Sequence, residues 1–239
     1  MNVQGAKNIC EVAEKKDIHT IIFTSSVAVY GFAPPGTKED GKINYFNDYG
    51  RTKYEAELVY RAWQQKDPLN RKLIIIRPTV VFGEKNRGNV YNLFNQIISG
   101  TFIMIGNGKN RKSMAYVENL TAFLEYSMSF KNGLHIYNYV DKPDFDMNRL
   151  VALVKKVARR KNKLRWLRLP FFVGYSIGIL FDIISAITGK KIVISSIRVK
   201  KFCSDSLFDT SLDKTEFIPS VPLEEAIVKT IQYEFLKDK

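Results

Sequence analysis

The sequence predicts an α/β fold in which helices alternate with short apolar strands. Residues 2–15 carry apolar side chains at helical spacing, and the apolar run 20–24 follows as a strand. A second helix is predicted over 49–65 and a second, more apolar strand over 72–81. The alternation of these four segments indicates a sheet covered by helices.

The remaining elements follow from the same patterns. Residues 32–48 are rich in Pro, Gly, Asn and Asp, which predicts a loop. A helix is predicted between two glycines over 88–100, a short strand over 135–140 and an amphipathic helix over 146–157. The segment 169–189 is strongly apolar and is predicted to be helical as well.

Composition restricts the classes of function. The chain has 239 residues, 45% of them hydrophobic, which is enough for a sizeable core in one or two domains. The formal net charge of +13 indicates an anionic partner, either nucleic acid, a lipid surface or a phosphorylated substrate. The basic residues are not interleaved with aromatic residues as in nucleic-acid-binding modules, so we expect no nucleic-acid partner.

The cysteines, the histidines and the first residues bear on thiol state, metal binding and cellular location. Cys10 and Cys203 are far apart, and His19 and His135 are isolated, so we expect reduced thiols and no metal site. The first residues lack a charged start followed by an apolar core, which predicts a cytoplasmic protein.

A basic run adjoins the apolar segment. Residues 155–168 contain eight Lys or Arg and no acid, and the segment 169–189 follows them directly. Its length approaches the ~20 residues that span a bilayer, but Asp182 and a proline argue against a span. Three placements stay open: contact with an anionic membrane surface through 155–191, packing on the protein or on a second subunit, and spanning.

Two side chains form a pair suited to proton transfer. Tyr49 and Lys53 are four residues apart in a predicted helix, so the phenol and the ammonium share one face. A nearby cation favours the phenolate and lowers its pKa, so that Tyr49 can exchange a proton with a sugar or steroid hydroxyl near pH 7. Ser26 follows the strand 20–24, at the sheet edge where α/β proteins bind ligands, and can hold the same oxygen.

Three motifs occur in order along the chain. They are S-S-V-A-V-Y-G at 25–31, Y-x-x-x-K at 49–53 and R-P-T-V-V-F-G at 77–83. In this order and spacing they resemble the extended short-chain dehydrogenase/reductase family, in its nucleotide-sugar epimerase/dehydratase branch. The resemblance implies an N-terminally truncated Rossmann-type, doubly wound parallel sheet with a smaller, mainly helical C-terminal substrate domain.

The resemblance also implies domain boundaries. Residues 1–83 and 109–145 correspond to a partial dinucleotide-binding domain that carries the catalytic residues, and 84–108 and 146–239 to a substrate-binding domain. The family's glycine-rich turn, which receives a pyrophosphate, precedes the position of Asn2, and no G-x-x-G-x-x-G occurs in this sequence. We therefore expect a late assigned start, a split gene or a degenerate remnant, and no tight NAD binding by the isolated chain.

Catalytic and cofactor roles follow from the matched positions. By resemblance, Tyr49 is the general base or acid, Lys53 lowers its pKa and holds the nicotinamide ribose, and Ser26 hydrogen-bonds the reacting oxygen. The cofactor is NAD or NADP, and its contacts include Asn2 and Thr79 together with Tyr49 and Lys53.

The implied substrate is a nucleotide-diphosphate sugar. By resemblance, Asn89 and Lys112 match positions that hold the diphosphate or the sugar. Arg111 lies next to Lys112 and can share its role, and Ser26 contacts the sugar as well. The resemblance implies an NAD(P)-dependent epimerase or ketosugar reductase that can form a homodimer. Surface contact would suit an enzyme that builds sugars for lipid-linked polysaccharide. Two alternatives stay open: a 3β-hydroxysteroid-dehydrogenase-like reductase, and a non-catalytic remnant or a subunit of a split enzyme.

Overall fold

Helices and strands alternate along most of the chain in the computed structural model, which describes residues 2–158, 168–189 and 195–236. In chain order the elements are α1 (Asn2–Lys15), β1 (Thr20–Thr24), α2 (Asp48–Gln65), β2 (Lys72–Pro78), β3 (Val80–Phe82), α3 (Asn89–Ser99), β4 (Met104–Ile105), β5 (Arg111–Tyr116), α4 (Val117–Ser127), β6 (Gly133–Tyr139), β7 (Asp141–Asp146), α5 (Met147–Val157), β8 (Arg168–Leu169), α6 (Phe171–Thr188), α7 (Ser196–Cys203) and α8 (Leu223–Ile231). The predicted elements are present with small shifts at their ends. The strand predicted over 72–81 differs, because it is divided at Thr79 into β2 and β3.

The chain divides into two compact units. The first comprises Met1–Val81, Ser113–Lys142 and Leu207–Leu223, and the second Phe82–Lys112, Pro143–Ser206 and Glu224–Lys239. The sheet order is β1-β2-β6 in the first unit and β4-β8 in the second, and β3-β5-β7 form another three-stranded sheet.

Helices cover both faces of the parallel sheet β1-β2-β6, which confirms the predicted α/β architecture. The central strand β2 is buried on both faces, and this explains its continuous apolar run. Leu73 and Ile75 pack in a cluster with side chains of α1 and α2. Ile74 and Ile76 pack on the other face, in a cluster with side chains of α4.

The tail segment 207–223 belongs to the first unit, whereas the sequence-based domain boundaries place all of 146–239 in the substrate domain. Contacts with the first unit account for the difference. The ring centroid of Phe208 lies 5.9 Å from that of Tyr30, inside one apolar cluster. Lys142 Nζ donates a hydrogen bond to the carbonyl oxygen of Phe208 at 3.0 Å.

In the second unit, α6 packs on its neighbours through a stripe of small and polar residues. Gly174, Gly178 and Asp182 recur every four residues and therefore share one face. A Cβ on Gly174 would lie 2.7 Å from Ile105 Cγ2, and one on Gly178 would lie 2.7 Å from Ser196 Cα. Asp182 Oδ2 accepts a hydrogen bond from Ser196 N at 3.1 Å, at the start of α7. The acid in this apolar helix thus faces the protein.

The opposite face of α6 is apolar and exposed. Phe172, Leu180, Ile183 and Ile187 are 69%, 56%, 51% and 80% exposed. With a mean hydropathy of 1.8, α6 is by length and composition able to cross a membrane, and only 11% of it is buried. Of the predicted basic run, residues 159–167 lie outside the described residues, as do the two lysines after the helix.

Candidate active site

The start of α2 presents the predicted phenol and ammonium together. Asn47 caps the helix, since its Oδ1 accepts a hydrogen bond from Gly50 N at 2.9 Å. Lys53 Nζ lies 6.0 Å from the ring centroid of Tyr49. Tyr49 is 51% exposed, so a ligand can reach its hydroxyl.

The Lys53 ammonium is held at the end of a strand. Its Nζ donates a hydrogen bond to the carbonyl oxygen of Thr24 at 2.8 Å, at the last residue of β1. It also lies 5.0 Å from the ring centroid of Phe23. Burial lowers the pKa of Lys53. A cation is therefore fixed between the strand end and the Tyr49 ring.

Ser26 lies at the same edge. It caps the 3-10 turn Val27–Tyr30, and its Oγ accepts a hydrogen bond from Ala28 N at 3.2 Å. A Cβ on Gly50 would overlap the Ala28 carbonyl oxygen. Glycine after Tyr49 therefore lets the start of α2 pack directly on the turn that follows Ser26.

Ser25, next to Ser26, belongs to a buried polar network instead. Its Oγ donates to Glu57 Oε1 at 2.6 Å. Arg77 forms a two-bond pair with the fully buried Glu57, through Nε at 2.9 Å and Nη2 at 2.6 Å. Arg77 Nη1 donates to Tyr30 Oη at 2.6 Å, and Tyr30 Oη donates to Asn138 Oδ1 at 2.9 Å. The network ties β1, β2, β6 and α2 together behind Ser26.

Charge pairing decides the protonation of this network. Burial acts to lower the pKa of Arg77, but the hydrogen bonds and charge of Glu57 outweigh it and raise that pKa. Burial raises the pKa of Tyr30, so its phenol stays protonated. From the sequence, Arg77 was predicted only as part of a motif, and Glu57 was not predicted to belong to the site. A signal was present, because Glu57 is an acid in a helix stretch whose neighbours Ala56 and Tyr60 belong to the core.

The two remaining residues predicted to contact the cofactor also lie in the first unit. Asn2 Nδ2 donates to Thr52 Oγ1 at 3.0 Å, between Tyr49 and Lys53 on α2. Thr79 is buried between β2 and β3, and its backbone N donates to the Tyr139 carbonyl oxygen at 3.0 Å. Asn2 is thus joined to α2, and Thr79 directly follows the central strand β2.

The predicted diphosphate contacts lie in the second unit. Asn89 is the first residue of α3 and is exposed, and the Arg111 side chain is exposed as well. Lys112 is engaged by the protein, because its Nζ donates to the carbonyl oxygens of Lys201 and Ser204 at 2.9 and 2.6 Å. Burial is the main reason why the pKa of Lys112 is lowered to about 8, and the positive charge of Lys201 is the second reason.

Metal-ligating groups are scattered. Among the described residues, no group of three or more His, Cys, Asp or Glu side chains is placed to hold a metal ion. Cys10 and Cys203 are free thiols, and His135 Nε2 lies 2.8 Å from the Lys131 carbonyl oxygen.

Comparison with protein families identifies the N-terminal part of the sequence. The profile of the NAD dependent epimerase/dehydratase family matches residues 1–139, which is more than half of the chain. The N-acetyl-alpha-D-glucosaminyl-diphospho-ditrans,octacis-undecaprenol 4-epimerase of Escherichia coli O157:H7 is 48% identical over 241 residues, covering 100% of this chain and 72% of that protein. The UDP-glucose 4-epimerase of Vibrio cholerae is 26% identical over 199 residues, covering 79% of this chain and 59% of that protein.

A solved structure shows the same fold. The UDP-glucuronic acid 4-epimerase of Bacillus cereus, in complex with NAD, superposes with a TM-score of 0.70 at 15% identity. The match covers 97% of this chain and 66% of that one. At this identity the likeness shows the fold alone.

Proposed function

We propose, because the chain belongs to the NAD dependent epimerase/dehydratase family, that it catalyses epimerisation at C4 of a sugar linked through a diphosphate to a carrier. One observation carries the proposal: an exposed phenol and a fixed ammonium share the start of α2, at the end of β1. This pair provides the proton transfer that oxidation of a sugar hydroxyl and reduction of the resulting ketone require.

Each residue has a separate role in this chemistry. When bound, NAD supplies the acceptor and then the donor of a hydride. Tyr49 accepts the proton of the C4 hydroxyl as that carbon is oxidised, and it returns the proton as the ketone is reduced on the other face. Lys53 stabilises the phenolate by its charge, and Ser26 hydrogen-bonds the reacting oxygen.

The side chains of the first unit suit the nicotinamide end of NAD. The Lys53 ammonium at the end of β1 offers a donor for ribose hydroxyls, and Tyr49 is exposed next to it. Thr79 directly follows β2 and Asn2 is hydrogen-bonded to α2, at the edge where parallel sheets bind cofactors. The sequence has no G-x-x-G-x-x-G turn, so we assign no residue of this chain to the pyrophosphate.

In the second unit we assign the substrate diphosphate to Asn89 and Arg111. The Arg111 guanidinium is exposed, and a guanidinium can donate two parallel hydrogen bonds to a phosphate. Lys112, the other residue predicted for this role, directs its ammonium to two carbonyl oxygens of the protein. We therefore give Lys112 the role of fixing the segment that carries Arg111.

The carrier distinguishes two substrate classes. The name of the 48% identical relative specifies a sugar on diphospho-undecaprenol, and that of the 26% identical relative specifies UDP-glucose. We propose a polyprenol carrier, because identity to the first relative is higher and because α6 presents an apolar face to its surroundings. The nucleotide-diphosphate sugar expected from the sequence is the second candidate, and both share the C4 chemistry.

We further propose that the protein works at the cytoplasmic surface of an anionic membrane. The outward face of α6 is apolar, while Asp182 is directed to α7, so no charge of this helix opposes insertion into the interface. The basic residues on both sides of α6 in the sequence suit anionic headgroups. A second copy of the chain is the alternative partner of this face.

A turnover assay tests the reaction and the carrier together. The chain is expressed alone and as a fusion with a glycine-rich segment from a relative, and both forms are given NAD. One substrate is N-acetylglucosaminyl-diphospho-undecaprenol in detergent and the other is the matching UDP sugar. We expect the fusion to epimerise the lipid-linked sugar at C4. Turnover of the UDP sugar alone would favour the second carrier, and turnover of neither would reject the proposal.

Vesicle sedimentation tests the membrane contact. We expect the chain to sediment with vesicles that contain phosphatidylglycerol and to stay in solution with phosphatidylcholine alone. Ile183→Glu on the outward face should abolish sedimentation, whereas Ile218→Glu, at an 85% exposed position outside α6, should not. Concentration-dependent dimers without vesicle binding would favour the second copy.

A further inference from the structure

An open groove lies beside α6 in the second unit. It has a volume of about 580 Å³ and is lined by residues of α6, α7, β4, β8 and the segment after α3. Most of its lining is apolar, including Ile103, Ile105, Leu169, Val199 and Phe202. The size and character are those of a site for an apolar ligand.

The groove opens at exposed residues of α6 and of the segment after α3. Ile177 lines the groove and is itself 38% exposed, and Ile103, also in the lining, is 44% exposed. Gly174 lines the groove as well, where α6 and Ile105 are in close contact. An apolar chain can therefore pass from a lipid surface on α6 into the groove without crossing a charged side chain of that helix.

A smaller cavity with several polar side chains adjoins the groove. Its volume is about 380 Å³, and it shares Ile105 with the groove. Its lining includes Asn107, Asn110 and Lys200, while Arg198 lines the groove itself. Cationic side chains next to an apolar groove are complementary to an anionic head joined to an apolar tail.

We propose that this groove binds the first isoprene units of a polyprenyl diphosphate, and that Lys200 and Arg198 add positive charge for the diphosphate beside the donors of Asn89 and Arg111. The inference rests on the proposed function and deepens it, because it assigns a place to the carrier of the substrate. A lipid-linked substrate then enters from the membrane along α6, and its tail stays in the groove while the sugar reacts.

Photocrosslinking of the full chain tests the groove without NAD or turnover. The probe is farnesyl diphosphate with a benzophenone on its terminal isoprene, and labelled peptides are located by mass spectrometry. We expect labels on groove residues such as Ile103 and Phe202, and competition by undecaprenyl diphosphate but not by UDP. Labels confined to the outward face of α6, or labels that undecaprenyl diphosphate does not displace, would overturn the proposal.

Two matched tryptophan variants test whether the probe binds in the groove. Ile103→Trp fills the mouth of the groove at an exposed position and should weaken probe binding about tenfold or more. Ile187→Trp adds the same ring to the 80% exposed end of α6, outside the groove, and should leave binding unchanged. Equal binding by both variants would contradict the assignment.

Failure of the groove and failure of the proposed reaction are distinguishable. If the fusion epimerises the lipid-linked sugar but the probe labels residues elsewhere, the groove assignment is wrong and the reaction stands. If the probe labels the groove but only UDP sugars react, the groove binds polyprenyl diphosphates and the substrate assignment is wrong.

Discussion

The helices α2 and α6 are both 18 residues long, and they use their surfaces in opposite ways. The polar α2 buries an acid and an amide, Glu57 and Gln64, and exposes the phenol of Tyr49. The apolar α6 buries only two glycines, Gly174 and Gly178, and exposes most of its large apolar side chains.

The difference shows that partners, more than average hydrophobicity, decide which face of a helix is buried. Glu57 is stable inside the protein because Ser25 and Arg77 satisfy its carboxylate with hydrogen bonds. Asp182 of α6 likewise has a partner within the protein, the N-terminus of α7. The apolar face of α6 is exposed within its unit, and we propose that lipid covers it.

The largest expected effect tests the exposed side of α2. Tyr49→Phe removes the hydroxyl that we propose transfers the proton, so kcat should fall by about 10²–10⁴-fold. Substrate binding should be nearly unchanged, since the ring remains. The turnover assay of the fusion, with binding followed by calorimetry, measures both quantities. Tyr54→Phe, on the same helix, is the control and should keep its activity; retained turnover in Tyr49→Phe would remove the catalytic assignment.

The second largest effect concerns the stability provided by the buried side of α2. Glu57→Ala leaves the Arg77 guanidinium buried without its carboxylate and should lower the free energy of unfolding by about 3–5 kcal/mol. Urea titration followed by circular dichroism gives this value. The double variant Glu57→Leu with Arg77→Met should lose less than the sum of the two single changes. Strict additivity would show that the pair is not coupled.

The packing of α6 gives a smaller effect. Gly178→Ala places a Cβ 2.7 Å from Ser196 N and Cα, so it should lower the free energy of unfolding by about 1–3 kcal/mol. Gly5→Ala in α1 meets no atom within 4 Å and should raise the same quantity by about 0.5–1 kcal/mol. A stabilising Gly178→Ala would mean that α6 does not pack on α7 through its glycines.

The smallest effect concerns Lys112, which contacts the end of α7. Its folded pKa of about 8 lies below the ordinary value of 10.5, so between these values the unfolded chain binds more protons than the folded chain. This group's contribution to the free energy of unfolding should therefore rise with pH from about 8 to 10.5, by on the order of 1 kcal/mol after solvent screening.

Urea titrations of the wild type and Lys112→Met across that pH range measure the contribution as a difference. Lys109→Met, at an exposed position in the same segment, is the matched control. If the difference in the free energy of unfolding between the wild type and Lys112→Met stays constant over this pH range, the Lys112 ammonium titrates outside the range.

Local patterns were sufficient to predict much of this molecule. Periodicity located α1, α2 and the apolar β2, and the four-residue spacing of Tyr49 and Lys53 placed both side chains on one helix face. Such features depend on neighbours in sequence, which is why a single sequence is informative about them.

Long-range pairing was not accessible in the same way. Glu57 and Arg77 are 20 residues apart, and nothing local shows that they meet inside the protein. Two other features also depend on residues that are distant in sequence. Lys112 donates a hydrogen bond to the Ser204 carbonyl oxygen, and residues 207–223 belong to the first unit. In each case the partner comes from an element distant in the chain, so the residue type alone does not predict which contacts the residue makes.

The interleaving of the two units has a practical consequence. The chain passes from one unit to the other at residues 81/82, 112/113, 142/143, 206/207 and 223/224. No single proteolytic nick can release either unit intact, and no contiguous fragment encodes one. Engineering a new sugar preference by exchanging a block of gene sequence would therefore transplant pieces of both, so grafts must be designed segment by segment.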